Sequence, residues 1–241
     1  MLYSLILDSV RIGSKEHLLP IGFAVLFATV LIIFSRYKLS YKYKVVVFQG
    51  LGVTVFLGLI SYHVFKIYEG DYNFRTDLPL FLCSFMALVV PIFTFKRKYW
   101  MYEILFFWII GGTTHGIITP DIPDGFPNPN YFRYWIVHMG LLTIIAYATV
   151  VLKMRPKFTS VFKSLIILQG YIIVMMILNA ILGSNYSYLN RKPNSASLLD
   201  YLDEWPYYIL EVELMVIPYL LLIYLPFHFL NKKARKKSLS K

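Results

Sequence analysis

The chain has 241 residues, 58% of them hydrophobic and 15% charged, and its mean hydropathy is +0.59. That leaves too little polar surface to clothe a soluble globule, so lipid must solvate most of it. The formal charge of +11 does not point to nucleic acid: no nucleic-acid module is present, the basic residues are scattered over short turns and one tail, and anionic lipid headgroups are the simpler partner.

In chain order, Met1–His17 comes first, mildly apolar but interrupted by Asp8, Arg11, Lys15 and Glu16. It lacks the basic start, long apolar centre and small-residue cleavage site of a signal peptide. It is expected to lie along the outer interface as a short amphipathic helix. Seven apolar runs follow: Leu18–Phe34, Val45–Phe65, Leu78–Phe95, Tyr102–Thr119, Tyr131–Leu152, Phe162–Gly183 and Tyr207–Phe229. Each has about the 17–25 residues needed to cross a hydrocarbon core as a helix. The expectation is an all-α membrane protein of seven transmembrane helices, one polytopic domain over residues 1–241.

Charge supplies the orientation. Arg36, Lys38, Lys42 and Lys44 follow the first run, Lys96, Arg97 and Lys98 the third, and Lys153, Arg155, Lys157 and Lys163 the fifth. The tail over 231–241 adds Lys232, Lys233, Arg235, Lys236, Lys237 and Lys241. The other connections hold most of the acidic residues, among them Asp71, Asp77, Asp121, Asp124, Asp200, Asp203 and Glu204. By the positive-inside rule the N-terminus faces out and the C-terminus the cytoplasm. A multi-pass protein of the cell membrane is the resulting expectation.

Two outer connections stand out. Pro120–Asn130 reads Pro-Asp-Ile-Pro-Asp-Gly-Phe-Pro-Asn-Pro-Asn, which resists helix and favours fixed turns. Ser184–Pro206 is longer, with a Pro193-Asn194 turn, and is either a lid or a plain connector. Tyr37, Tyr41, Tyr43, Tyr99, Trp100, Tyr102, Tyr131, Tyr134, Trp135, Trp205, Tyr207 and Tyr208 gather near span ends. They read as an interfacial aromatic belt, with a few reserved for a ligand pocket.

Polar residues inside spans concentrate in the outer half: Cys83, His115, His138, Asn179, Glu211 and Glu213, with His63 near the outer end of the second run. At a rise of about 1.5 Å per residue, Cys83 and His138 lie at similar depths, roughly 7–10 Å below the outer boundary. Ionisable groups in spans are costly and mark functional sites by default. A lone cysteine is commonly inert packing, and a lone histidine commonly a satisfied interhelical hydrogen bond. Together, a thiol and an imidazole that takes its proton make a nucleophile. Thr113, Thr114 and His115 are candidate oxyanion donors. Glu211 and Glu213 point roughly 200° apart on a helix, so only one can face a shared pocket. No metal motif and no soluble-cofactor motif is present.

Several segments carry a resemblance. Asp77-Leu-Pro-Leu-Phe-Leu-Cys83, Ile118-Thr-Pro-Asp121, Tyr131-Phe followed by His138, Asn185-Tyr-x-Tyr-Leu with Pro193, and Trp205-Pro-x-Tyr208 occur in order after Glu16-His17-Leu. They resemble the YwaF-like integral membrane proteins, a family whose eukaryotic branch is a phospholipid acyltransferase using a cysteine and a histidine. The resemblance implies acyl transfer through a thioester, with Cys83 as nucleophile and His138 as general base and acid. His115, Thr114, Asp121, Asn185 and Glu211 form the expected substrate-binding set, and a membrane phospholipid or lysophospholipid the expected partner. The competing reading is a transporter or receptor-like protein with an outer-facing cavity for a polar solute.

Overall fold

The computed structural model describes residues 9–193 and 197–239, with side chains through residue 230. Met1–Asp8 of the N-terminal segment, Asn194, and the side chains of the basic tail (Lys232, Lys233, Arg235, Lys236, Lys237 and Lys241) lie outside the described residues. Residues 9–13 of the expected amphipathic helix are not helical. Val10 is instead buried, and its N–H donates to the carbonyl of Ile122 at 3.1 Å. The first helix starts at Lys15, where the Ser14 hydroxyl accepts from the N–H of His17.

The helices are α1 (Lys15–Lys38), α2 (Tyr41–Tyr68), α3 (Leu82–Lys96), α4 (Tyr99–Trp108), α5 (Thr114–Ile118), α6 (Pro129–Val150), α7 (Phe158–Leu182) and α8 (Tyr207–Leu239). A π-helical turn, Ile109–Thr113, joins α4 to α5, so Tyr99–Ile118 crosses as one rod. Among the described residues, six helices are long and apolar enough to cross a membrane. The third apolar run differs from the expected span: α3 has only 15 residues.

The cause is local. Pro79 disfavours helix at the residue before it, and Leu78–Phe81 runs non-helical into the N-cap at Phe81. Hydropathy counts those leucines whatever their backbone does. Non-helical backbone at membrane depth must find partners inside the protein. Here tyrosines supply them: Tyr186 Oη accepts from the N–H of Leu78 at 3.0 Å, and Tyr171 Oη donates to the carbonyl of Leu80 at 2.7 Å.

The rod Tyr99–Ile118 and α6 form the buried centre, with Met101–Ile109 buried throughout. Helices α2 and α3 pack on α6, α7 packs on α4, and α1 and α8 lie peripherally with lipid-facing apolar surfaces. Small residues permit the closest crossings, as is usual between membrane helices. A Cβ on Gly52 would come within 2.2 Å of Thr94, and one on Gly140 within 2.4 Å of Val55.

The aromatic belt holds in part. Tyr37, Tyr41, Tyr43, Trp100, Trp205 and Tyr207 are exposed, but Tyr102, Tyr131, Tyr134, Trp135 and Tyr208 are buried. Turned inward, the four tyrosines spend their hydroxyls on neighbouring helices and loops. One ionisable group also sits within the end of the bundle that bears the basic connections. Glu103 is 2% exposed and bonds Ser160 at 2.7 Å and Lys163 at 2.8 Å.

Candidate functional site

Helix α5 ends where it does because residue 120 is proline. With no N–H there, the carbonyl of Gly116 loses its partner four residues on. Tyr134 of α6 supplies the replacement, its hydroxyl donating to Gly116 O at 2.6 Å. The next carbonyl, Ile117 O, receives Nε2 of His17 from α1 at 2.7 Å. These two bonds dock α6 and α1 on the end of the central rod.

The Tyr134 ring in turn stacks on His138, centroids 3.9 Å apart. His138 is buried, and its Nδ1 lies 2.8 Å from the carbonyl of Tyr134 one turn earlier. A carbonyl only accepts, so Nδ1 carries the proton and Nε2 the lone pair, as a general base requires. Nε2 faces Gly116, where an added Cβ would lie 2.9 Å away. Glycine is what permits this approach.

Cys83 is the second residue of α3 and keeps some accessible surface. Its Sγ lies 3.6 Å from Thr113 Oγ1. Thr113 ends the π-helical turn that begins at Ile109 and includes Gly111 and Gly112. Such turns insert an extra residue and re-aim the side chains that follow, often at functional sites. Thr113 and Gly116 are one helical turn apart, so the thiol and the free imidazole nitrogen flank a single turn of the central rod. Among the described residues their hydrogen bonds go to Thr113 and Tyr134, and not to each other.

Arg133 adds a charge. Its guanidinium is close enough to interact electrostatically with Cys83, Tyr134 and Asp77. The connection after α7 closes over the N-terminus of α3. Tyr186 and Tyr188 place their rings 5.3 and 5.4 Å from that of Phe81. Ser187 and Tyr188 adopt left-handed backbone, φ 58° and 55°, which costs an L-residue about 1–2 kcal/mol each. Side-chain bonds hold them there: Ser187 with Tyr171 at 2.6 Å, and Tyr188 Oη to Asp121 at 2.5 Å. Burial pushes the Tyr186 phenol up to about 12, and its hydroxyl donates to the carbonyl of Phe74. Tyr188 is pushed up too, by burial first and then by the Asp121 charge.

The expected site residues therefore separate. Cys83, His138 and Thr113 gather around one helical turn, with Thr114 adjoining and Asp121 joined through Tyr188. His115 packs its ring on Tyr219 of α8, 5.3 Å away. Asn185 is spent on its own loop, accepting from Asn190 and Arg191 and donating to Arg191 O. Glu211 accepts from the N–H of Asp203 at 3.0 Å, tying the loop to α8. His63 lies apart with Tyr72, its Nδ1 3.3 Å from the phenol oxygen. Arg133, Tyr134, Tyr171 and Tyr188 are the residues that sequence reasoning missed. Tyr134, four residues before His138 and so on the same helix face, carried a signal, and Tyr188 lay within the Asn185-Tyr-x-Tyr-Leu segment; Arg133 and Tyr171 carried none.

A family model, that of the TMEM164 family, matches residues 12–224. The chain belongs to the TMEM164 family. It is thus a member of a family of transmembrane proteins, consistent with the six long apolar helices among its described residues. The matched region contains every residue of the site just described. No curated protein and no solved structure matches the chain.

Proposed function

We propose that the protein is a lipid-ester acyltransferase or hydrolase working through a thioester on Cys83. The observation that carries this reading is the flanking of one helical turn, Thr113–Gly116, by the only cysteine and by an imidazole with its basic nitrogen uncommitted. The YwaF-like resemblance of the Cys83 and His138 segments supports the same assignment.

His138 Nε2 takes the thiol proton as Sγ attacks the ester carbonyl of a phospholipid. The tetrahedral oxyanion forms beside Thr113 and within the field of Arg133. Its collapse breaks the ester C–O bond, and the departing lysolipid oxygen takes the proton from His138. In the second half-reaction a lysolipid hydroxyl or water gives its proton to Nε2 and attacks the thioester. The released sulfur recovers that proton. One base serves both halves, and no cofactor enters. The basic connections then face anionic headgroups on the cytoplasmic side of the cell membrane, with the site opening towards the other leaflet.

Reconstituted protein supplied with a chain-labelled phospholipid and an unlabelled lysophospholipid should yield labelled product, and Cys83→Ala should yield none. Turnover persisting in Cys83→Ala would contradict the reading. Solute uptake without lipid turnover, unchanged by Cys83→Ala, would favour the transporter instead.

A further inference from the structure

The proposed chemistry does not fully explain the surroundings of Arg133. This residue lies near the start of α6, at the end of the bundle that holds Cys83. Two of its nitrogens, Nε and Nη2, share a single acceptor, Asn130 Oδ1, at 3.0 and 2.6 Å. The guanidinium carbon sits 4.8 Å from the centre of the Tyr62 ring on α2. Asparagine on one side and the aromatic face on the other fix the plane of the fork, so it does not simply snorkel to water. Among the described residues no carboxylate lies within ion-pair distance of it. Asp77, an acid that acts on it, is occupied by the N–H of Asn73 at 2.8 Å, the Thr76 hydroxyl at 3.1 Å and Lys66 at 3.8 Å.

Arg133 and Tyr62 also line a groove of about 320 Å³ between α2 and α6. The groove runs from Pro127, Pro129 and Phe65 at the end of the bundle inward to Gly58 and Ile136. Its mouth carries Arg133 and its floor, at Gly58 and Ile136, is apolar. Gly58 keeps the floor open only as far as Ile136, whose side chain a Cβ there would meet at 2.6 Å.

A fixed, half-buried fork without a protein counter-charge, above an apolar channel, matches one amphiphile: a phosphate that accepts two parallel N–H bonds, joined to an acyl chain. We infer that the α2–α6 groove is a phospholipid-binding site in which Arg133 holds the phosphodiester and the chain runs inward as far as Gly58 and Ile136. Ile136, which lines the groove, is on α6 two residues before His138. Binding itself does not depend on acyl transfer. The inference selects phosphate-bearing lipids over neutral glycerides, a discrimination that the Cys83–His138 pair alone does not provide.

The test uses full-length Cys83→Ala protein, in which thioester chemistry is removed, and native mass spectrometry against a phospholipid and a diacylglycerol of the same chains. Arg133→Gln should lower phospholipid occupancy about tenfold, about 1.4 kcal/mol, and leave diacylglycerol unchanged. Arg133→Lys, which keeps the charge but loses the fork, should fall between. Ser61→Phe places bulk in the groove from an exposed position and should weaken both lipids with Arg133 intact. Unchanged phospholipid occupancy in Arg133→Gln, or equal loss of both lipids, overturns the phosphate assignment. Unchanged occupancy in Ser61→Phe overturns the groove. Displacement of the lipid by excess inorganic phosphate overturns the lipid as occupant in favour of a free-anion site. Acyl transfer that is absent from the wild-type protein while phospholipid binding is intact would fault the thioester reading alone.

Discussion

The two ends of the bundle both bury polar groups, but they use them differently. At the basic end, Glu103 bonds Ser160 and Lys163, Tyr102 bonds Thr149 and the carbonyl of Met154, and Arg155 bonds the carbonyls of Thr149 and Met154. Those groups close on one another and tie α4 to α7 and to the α6–α7 connection. At the other end, Cys83 makes one weak bond, His138 keeps Nε2 free, and Arg133 spends two nitrogens on a single oxygen. Charge alone would have marked the basic end as the active one. Committed valence marks the other: a satisfied network holds helices together, while retained lone pairs and N–H groups are what a substrate engages.

The largest expected effect falls at the open end. His138→Gln should lower lipid turnover by about 10²–10⁴, the usual contribution of a positioned general base, with the melting temperature little changed. A melting loss matching the activity loss would make His138 a packing residue like those at the basic end. Gly116→Ala comes next. Its Cβ would press on Nε2 at 2.9 Å and on the Tyr134 hydroxyl at 3.2 Å, so turnover should drop at least tenfold while overpacking costs about 1–3 kcal/mol. Turnover at the wild-type level would show that Nε2 does not act where it points.

Glu103→Gln sharpens the contrast from the other side. Losing the charge opposite Lys163 should cost about 1–3 kcal/mol of stability, read by thermal unfolding, with activity per folded molecule unchanged. A fall in specific activity would erase the distinction between the ends. Tyr188→Phe is the smallest change. It removes the bond to Asp121 and should cost about 0.5–1.5 kcal/mol, with a severalfold rise in protease nicking between Ser184 and Leu189.

The sequence disclosed most of the bundle because crossing a membrane requires length and hydropathy, and both are linear properties. It misjudged α3 for the same reason: Leu78–Phe81 is apolar but unwound, and only Tyr171 and Tyr186, about a hundred residues away, reveal how its backbone is satisfied. Cys83 and His138 were legible as rare polar groups at one depth. Their shared flank on Thr113–Gly116 was not, because it depends on a π-helical turn whose only linear trace is the pair Gly111-Gly112. Asn185 and Glu211 read as ligands because their types suit binding; the loop after α7 uses them for its own turns. Arg133 was missed because one cation among acidic connections says nothing about whether a carboxylate reaches it.

Intact-protein mass spectrometry after incubation with phospholipid tests the central claim most directly. The account predicts a fatty-acyl increment on the wild type that hydroxylamine removes, that is absent from Cys83→Ala and that forms more slowly in His138→Gln. An adduct that persists in Cys83→Ala would contradict it.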